Sequence, residues 1–157
     1  MRIFISILIL IFSFQSWTKA EDISEYEIEG MSIGDSLLNF FSKKQIKDNL
    51  AIWYNDDDYS TSLLSLKNYE IYKNLDISFL TKDKEYKIVN IAAIHPDANK
   101  EDCKLIKKKI INDIKKMINI DQKDRVEIHP IDKSGKSKVD STYFYYDNGD
   151  AIAVQCF

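Results

Sequence analysis

The sequence predicts an α+β fold in which an antiparallel sheet, built from two hairpins, carries two short N-terminal helices and one long helix on one face. Three observations support this prediction. Residues 100–118 have a helical period, residues 75–94 hold two β-rich runs around a polar turn, and Asn148-Gly149 separates two further β-rich runs. A chain of 157 residues is consistent with one domain.

The two short helices are predicted close to the start of this domain. A turn at residues 30–34 precedes Asp35 or Ser36, either of which can cap a first helix. The apolar residues of that helix are Leu37, Leu38, Phe40 and Phe41. Ser42-Lys43-Lys44-Gln45 then fits a capping box, which predicts a second helix containing Ile46 and Leu50.

The β-rich segments follow. Residues 75–81 and 86–94 alternate around a polar turn, which predicts an antiparallel hairpin. Residues 125–131 predict a strand that Pro130 cuts short. Residues 139–146 and 151–157 flank Asn148-Gly149, and this pair is the strongest short hairpin signal available.

The long helix and the two cysteines are linked in this prediction. Asn99 can cap a helix over residues 100–118, whose apolar stripe consists of Cys103, Ile106, Ile110, Ile114 and Met117. Cys156 lies in the last strand. A disulfide between Cys103 and Cys156 is the simplest expectation in an oxidising compartment and would join helix to sheet, while two buried free thiols are the alternative.

Residues 1–20 have the pattern of a cleavable secretory signal. Arg2 is followed by a run that is apolar apart from two serines, and a polar segment then ends on Ala20. Cleavage after Ala20 would leave residues 21–157 as a single α+β domain. An uncleaved anchor is the alternative, although the apolar run is shorter than the roughly 20 residues that span a bilayer. We therefore expect an exported protein, periplasmic or secreted.

Four segments resemble catalytic or ligand-binding motifs without completing them. Residues 30–34 fit G-x-S-x-G and residues 34–37 spell Gly-Asp-Ser-Leu, but the preceding residues are acidic and no Asp-x-x-His block follows. Residues 134–137 resemble the end of a P-loop, but the first glycine of that motif is replaced by Pro130. The carboxylates of residues 56–58 lack the spacing of a calcium loop. The sequence therefore assigns no catalytic, cofactor-binding or metal-ligating residue.

Two surfaces are candidates for binding. Tyr143 and Tyr145 alternate with Phe144 and Tyr146 along one strand, so about half of these rings must lie outside the core. The long helix carries a basic side of Lys104, Lys107, Lys108, Lys109, Lys115 and Lys116, within which Lys104 and Lys108 are candidate contacts. A solvated face is the simpler interpretation of these lysines, and contact with a membrane surface is not expected.

The segments GMSIGDSLL (residues 30–38) and DKSGKS (residues 132–137) and a final Gly149-Asp150 strand ending in Cys156 resemble a group of small exported bacterial proteins of unknown function. The likeness spans nearly the whole mature chain. It implies export and a location in the bacterial envelope, and it implies no activity.

The function expected from these observations is a non-enzymatic binding or interaction protein of the bacterial envelope. Its partner would be a protein or a small ligand. The formal net charge of −3 gives no electrostatic reason to expect nucleic acid. The alternative is a small serine hydrolase that uses Ser32 or Ser36 with His95 or His129.

Overall fold

The structure is a computed structural model that describes residues 22–51, 58–69, 71–94, 99–129 and 132–156. Within these residues the protein is α+β. The helices are α1 (Lys43–Asp48) and α2 (Lys100–Met117), with 3-10 turns at Ile23–Glu25 and Leu37–Asn39. The strands are β1 (Tyr59–Ser65), β2 (Asn74–Leu80), β3 (Ile88–Ile94), β4 (Gln122–Ile128), β5 (Lys138–Tyr145) and β6 (Ala151–Cys156).

The described strands form two three-stranded antiparallel sheets, ordered β1-β2-β3 and β4-β5-β6. The predicted layout, one sheet built from two hairpins, is therefore wrong. The segments expected to pair do lie beside each other as β2–β3 and β5–β6, but each pair gains a third strand. The other side of β1 is occupied by residues 49–51, where the Ala51 N–H donates to the Thr61 carbonyl at 2.8 Å. This contact closes the first sheet at β1.

The predicted pair of short N-terminal α-helices is also not matched, because the first segment does not form an α-helix. Leu37–Asn39 is a single 3-10 turn, and the Leu37 N–H donates to the carbonyl of Tyr86 at 3.0 Å, in the β2–β3 connection. The first N–H of a helical turn has no partner within the turn, and the Tyr86 carbonyl provides one here. Ser36 caps the turn, and Ser42 and Gln45 form the predicted capping box at the start of α1.

Each sheet has its own hydrophobic core. The first core packs β1–β3 against α1 and the preceding segment, and it consists of Met31, Leu37, Phe41, Ile46, Leu64, Leu75, Ile77, Phe79, Tyr86 and Ile88. The second packs α2 against β5 and β6, and it consists of Ile114, Ile118, Phe144, Tyr146 and Val154. The N-terminal segment contacts both cores, because Ile23 and Tyr26 pack on the second and Ile28 on the first.

Helix α2 begins at the predicted cap, where the Asn99 side-chain oxygen accepts from the N–H groups of Glu101 and Asp102, both at 3.0 Å. The predicted disulfide between Cys103 and Cys156 is present and ties α2 to β6. The predicted apolar stripe is wrong at its C-terminal end. Met117 is 44% exposed, and Ile118, just past the helix, is buried instead.

Lys107 does not belong to the solvated basic side that the sequence indicated. Its side chain is 8% exposed, and its ammonium group donates to the backbone carbonyl and to the carboxylate of Asp140, both at 2.8 Å. Asp140 pairs across the sheet with Cys156. The ion pair and the disulfide are therefore neighbouring links between α2 and the second sheet.

Candidate functional site

The exposed face of the second sheet carries the aromatic residues that the sequence singled out. Along β5, Phe144 and Tyr146 point toward α2 and are buried, whereas Tyr143 and Tyr145 point to the opposite face and are half-buried. The alternation arises because successive side chains of a strand project to opposite faces. This confirms the prediction that about half of these rings lie outside the core.

The two tyrosine rings form an ordered pair with a cation above each. Tyr143 and Tyr145 stack with ring centroids 5.6 Å apart and an angle of 16° between the planes. The Arg125 guanidinium lies 5.7 Å from the Tyr143 centroid, and the Lys123 ammonium lies 5.4 Å from that of Tyr145. Both distances suit a cation–π contact.

The register of β4 against β5 explains this arrangement. Lys123 stands directly opposite Tyr143, and Arg125 stands opposite Ser141. Each cation therefore covers a ring on its diagonal, a distance that long side chains reach across a sheet. The sequence did not predict these two contacts, because it placed the strand at residues 125–131 and left Lys123 outside it.

The other side of the tyrosine pair is bordered by β6. The Gln155 side-chain amide donates to the Ser141 hydroxyl at 3.0 Å and to the Tyr143 hydroxyl at 3.3 Å. Ala153 and Ala151 lie opposite Tyr143 and Tyr145, and their small side chains leave the rings open along this edge. We call the five residues Lys123, Arg125, Tyr143, Tyr145 and Gln155 the tyrosine platform.

The platform has the composition of a recognition surface. Tyrosine and arginine are enriched among the residues that dominate binding energies, because they bury a large area and still offer a polar group. The stacked rings and the cation–π contacts hold the side chains in place. Less side-chain entropy is then lost on binding.

The structure places the other predicted surface residues elsewhere. Lys104 and Lys108 are exposed on α2, and α2 packs on the opposite face of the second sheet from Tyr143 and Tyr145. The lysines and the tyrosines therefore do not form one site. In the described part of the chain, no helix is long and apolar enough to cross a membrane.

The two serines of the hydrolase alternative have structural contacts. The Ser36 hydroxyl donates to the Glu85 carbonyl at 2.6 Å and accepts from the Leu38 N–H. The Ser32 hydroxyl is directed at the Tyr26 carbonyl, 3.4 Å away. His95 lies outside the described residues, and His129 follows β4 at the end of the second sheet. The alternative stays a hypothesis, to be tested with Ser36→Ala on any hydrolysis observed.

The loop that resembles the end of a P-loop is closed by its own carboxylate. Asp132 accepts from the N–H groups of Ser134, Lys136 and Ser137 at 2.8, 3.1 and 2.6 Å. The Ser134 hydroxyl first, then the N–H groups of Ser137 and Ser134 and the Ser137 hydroxyl, hold the pKa of the Asp132 carboxyl far below its usual range. The backbone amides that a phosphate would need are therefore already paired with Asp132.

Asp132→Asn is expected to lower the melting temperature at neutral pH, since the amide accepts these bonds more weakly than the carboxylate. A lowered folded-state pKa stabilises the protein above the ordinary aspartate pKa, and this stabilisation is lost as the pH falls toward the folded-state value. The difference in melting temperature between the variant and the wild type should therefore become smaller in acid, and thermal melts at several pH values measure it. A difference independent of pH, or one shared by the exposed turn control Asp147→Asn, would contradict this assignment.

The carboxylates of residues 56–58 lie outside the described residues except for Asp58. Within the described ranges, no three His, Cys, Asp or Glu side chains come together as a metal site would require.

Comparisons with known proteins find no relative whose binding residues could be compared with the platform. No protein-family model, no curated protein and no solved structure matches this chain.

Proposed function

We propose that this protein is an exported, non-enzymatic interaction domain of the bacterial envelope and that the tyrosine platform is its partner-binding surface. The observation that carries the proposal is the stacked pair Tyr143–Tyr145 with Arg125 and Lys123 above the rings. This arrangement places two aromatic rings, held by stacking, and two positive charges on one open face of the sheet.

A protein partner fits this surface better than a small ligand or nucleic acid. Small-molecule sites are concave and enclose most of their ligand, whereas the platform lies on the open face of a sheet. Nucleic-acid surfaces need many phosphate contacts from a basic protein, and this chain has a net charge of −3. The two platform cations suit carboxylates at the rim of a protein interface.

The disulfide supports the proposed location. Disulfides persist in oxidising compartments such as the periplasm and the extracellular space, and Cys103–Cys156 joins α2 to β6, two of the elements that build the second core. The predicted signal at residues 1–20 lies outside the described residues, so export is part of the proposal.

The proposal predicts where a partner can be captured in living cells. A photo-cross-linking residue at Ala153, which lies opposite Tyr143, should yield a discrete adduct. The same residue at Leu105, 69% exposed on α2, is the control and should not yield that adduct. Combining the Ala153 probe with Tyr143→Ala and Tyr145→Ala should remove the adduct at unchanged protein level. An adduct that survives both substitutions would refute the platform as the binding surface.

A further inference from the structure

The first sheet has one edge that no described part of the chain covers. At the β1 edge, the backbones of Asn49 and Ala51 pair with the strand. At the β3 edge, Gly34 and Asp35 pair with Ile88 only, through bonds of 2.8 Å each. Within the described residues, no further backbone bond reaches the outer side of β3. The stretch Asn90–Ile94 therefore offers unpaired N–H and C=O groups.

This open edge also lacks the usual protection. Proteins guard edge strands with charged side chains, prolines or bulges, because an unguarded edge pairs with other chains. In β4, an edge strand of the second sheet, four of the five residues from Lys123 to Glu127 are charged. Strand β3, with the sequence IVNIAAI, has no charge, and its bulge lies before Asn90. The uncharged edge of β6 borders the tyrosine platform described above.

An unpaired carboxylate lies one strand in from this edge. Asp76 is on the central strand β2, on the face turned away from the first core, and is half-buried. Within the described residues it has no hydrogen bond or ion pair, and burial raises the pKa of its carboxyl. It lines an open groove of about 410 Å³ together with Tyr59, Thr61, Ser78, Asn90 and Ala92.

The residue between Asp76 and the edge is small. Ala92 is the direct cross-strand partner of Asp76, and its methyl group leaves the path over β3 open. Neighbouring strands are about 4.8 Å apart, so a strand added beyond β3 would lie about 10 Å from β2. An arginine or lysine side chain on that strand and the Asp76 side chain together span this distance.

We infer that the edge Asn90–Ile94 accepts an extended segment of a partner protein as a fourth strand, and that an arginine or lysine of this segment crosses Ala92 to pair with Asp76. Main-chain bonds supply affinity in such strand addition, and the side-chain contact supplies selectivity. A positive charge is the complement that a partly buried, unpaired carboxylate lacks. The site lies on the first sheet and does not depend on the tyrosine platform.

The test uses a short extended peptide of alternating threonine and valine with one central residue varied among Arg, Lys, Gln and Glu. Binding to the purified protein is followed by backbone amide shifts. The Arg and Lys peptides should bind about tenfold more tightly than the Gln peptide, as one charge-assisted hydrogen bond provides. The shifts should centre on residues 90–94, whose amide hydrogens should then exchange more slowly.

Matched variants separate the parts of the inference. Asp76→Asn, which keeps the shape of the side chain, should remove the preference for Arg and Lys, and Asp147→Asn should keep it. Ala92→Leu should block the crossing and have the same effect as Asp76→Asn. The pair Tyr143→Ala and Tyr145→Ala should bind the peptides normally, so failure of the platform proposal would leave this result unchanged.

Three results would overturn the inference. One is equal binding of the Arg and Gln peptides, and another is the absence of any shift at residues 90–94 with every peptide. The third is a set of shifts at these residues that appears on raising the protein concentration without peptide. That last result would assign the edge to a second copy of the chain.

Discussion

Cys103→Ser is expected to lower the free energy of unfolding by about 4 kcal/mol under non-reducing conditions. The disulfide closes a loop between residues 53 positions apart. In the chain-entropy model, a cross-link of this length removes much of the freedom of the unfolded chain. The bond also joins α2 to β6, the two elements on either side of the second core. Chemical denaturation of the variant measures the loss directly.

The matched controls for this prediction are Cys156→Ser and the double variant. Both should be as unstable as Cys103→Ser, because each removes the same bond, and reduction of the wild type should lower its stability to the same level. Melting curves unchanged by any of these treatments would mean that the cross-link does not stabilise this protein.

Asp140→Ala is expected to lower the free energy of unfolding by about 2–3 kcal/mol, at or just below the lower end of the roughly 3–5 kcal/mol that breaking a fully buried pair costs. Removal of the carboxylate leaves the Lys107 side chain, which is 8% exposed, with the backbone carbonyl of residue 140 as its remaining hydrogen-bond partner among the described residues. The expected loss does not exceed the lower end of that range because the Asp140 side chain is 43% exposed, so water partly replaces the carboxylate.

Lys107→Met should cost less than Asp140→Ala, since the thioether side chain fills the space without leaving a buried charge. The exposed pair Lys116–Asp113 on the same helix is the control, and Asp113→Ala should change the stability far less than Asp140→Ala, because water screens an exposed ion pair. Chemical denaturation of the three variants, with the disulfide intact, gives the order of their losses in stability. A larger loss for Lys107→Met than for Asp140→Ala would contradict the assignment.

The elements that could be predicted are those whose signals are local. Asn99 caps α2 through its own side chain, and Gly149 supplies the positive φ of 95° that the β5–β6 turn needs. The period of β5 places Tyr143 and Tyr145 outside the core whatever the rest of the fold does. These predictions needed no knowledge of distant parts of the chain.

Strand β1 was missed because its polar residues hide its pattern. Ser62 is fully buried, and its hydroxyl donates to the Ile46 carbonyl at 2.7 Å. Thr61 shares a hydrogen bond with Ser78 at 2.9 Å. Hydroxyl groups can lie inside a sheet when distant partners satisfy them, and hydropathy along the sequence does not record those partners.

The burial of Lys107 and the positions of the platform cations over the rings were not predicted, for a related reason. Lys107 is buried because Asp140 lies opposite it in the folded chain, 33 positions away in sequence. Arg125 and Lys123 reach the tyrosine rings only through the register of β4 on β5. Tertiary pairing determines all three positions, so helical period and strand alternation do not predict them.

The tyrosine platform is proposed to bind a protein partner. This proposal is tested most directly by measuring the affinity of the partner captured at Ala153 for wild type and for the Tyr143→Ala, Tyr145→Ala variant. We expect the affinity to fall by at least about 30-fold, as when hot-spot rings are removed. The control replaces the exposed Tyr69 with alanine and should bind like wild type. Equal affinities for wild type and the platform variant would contradict the claim.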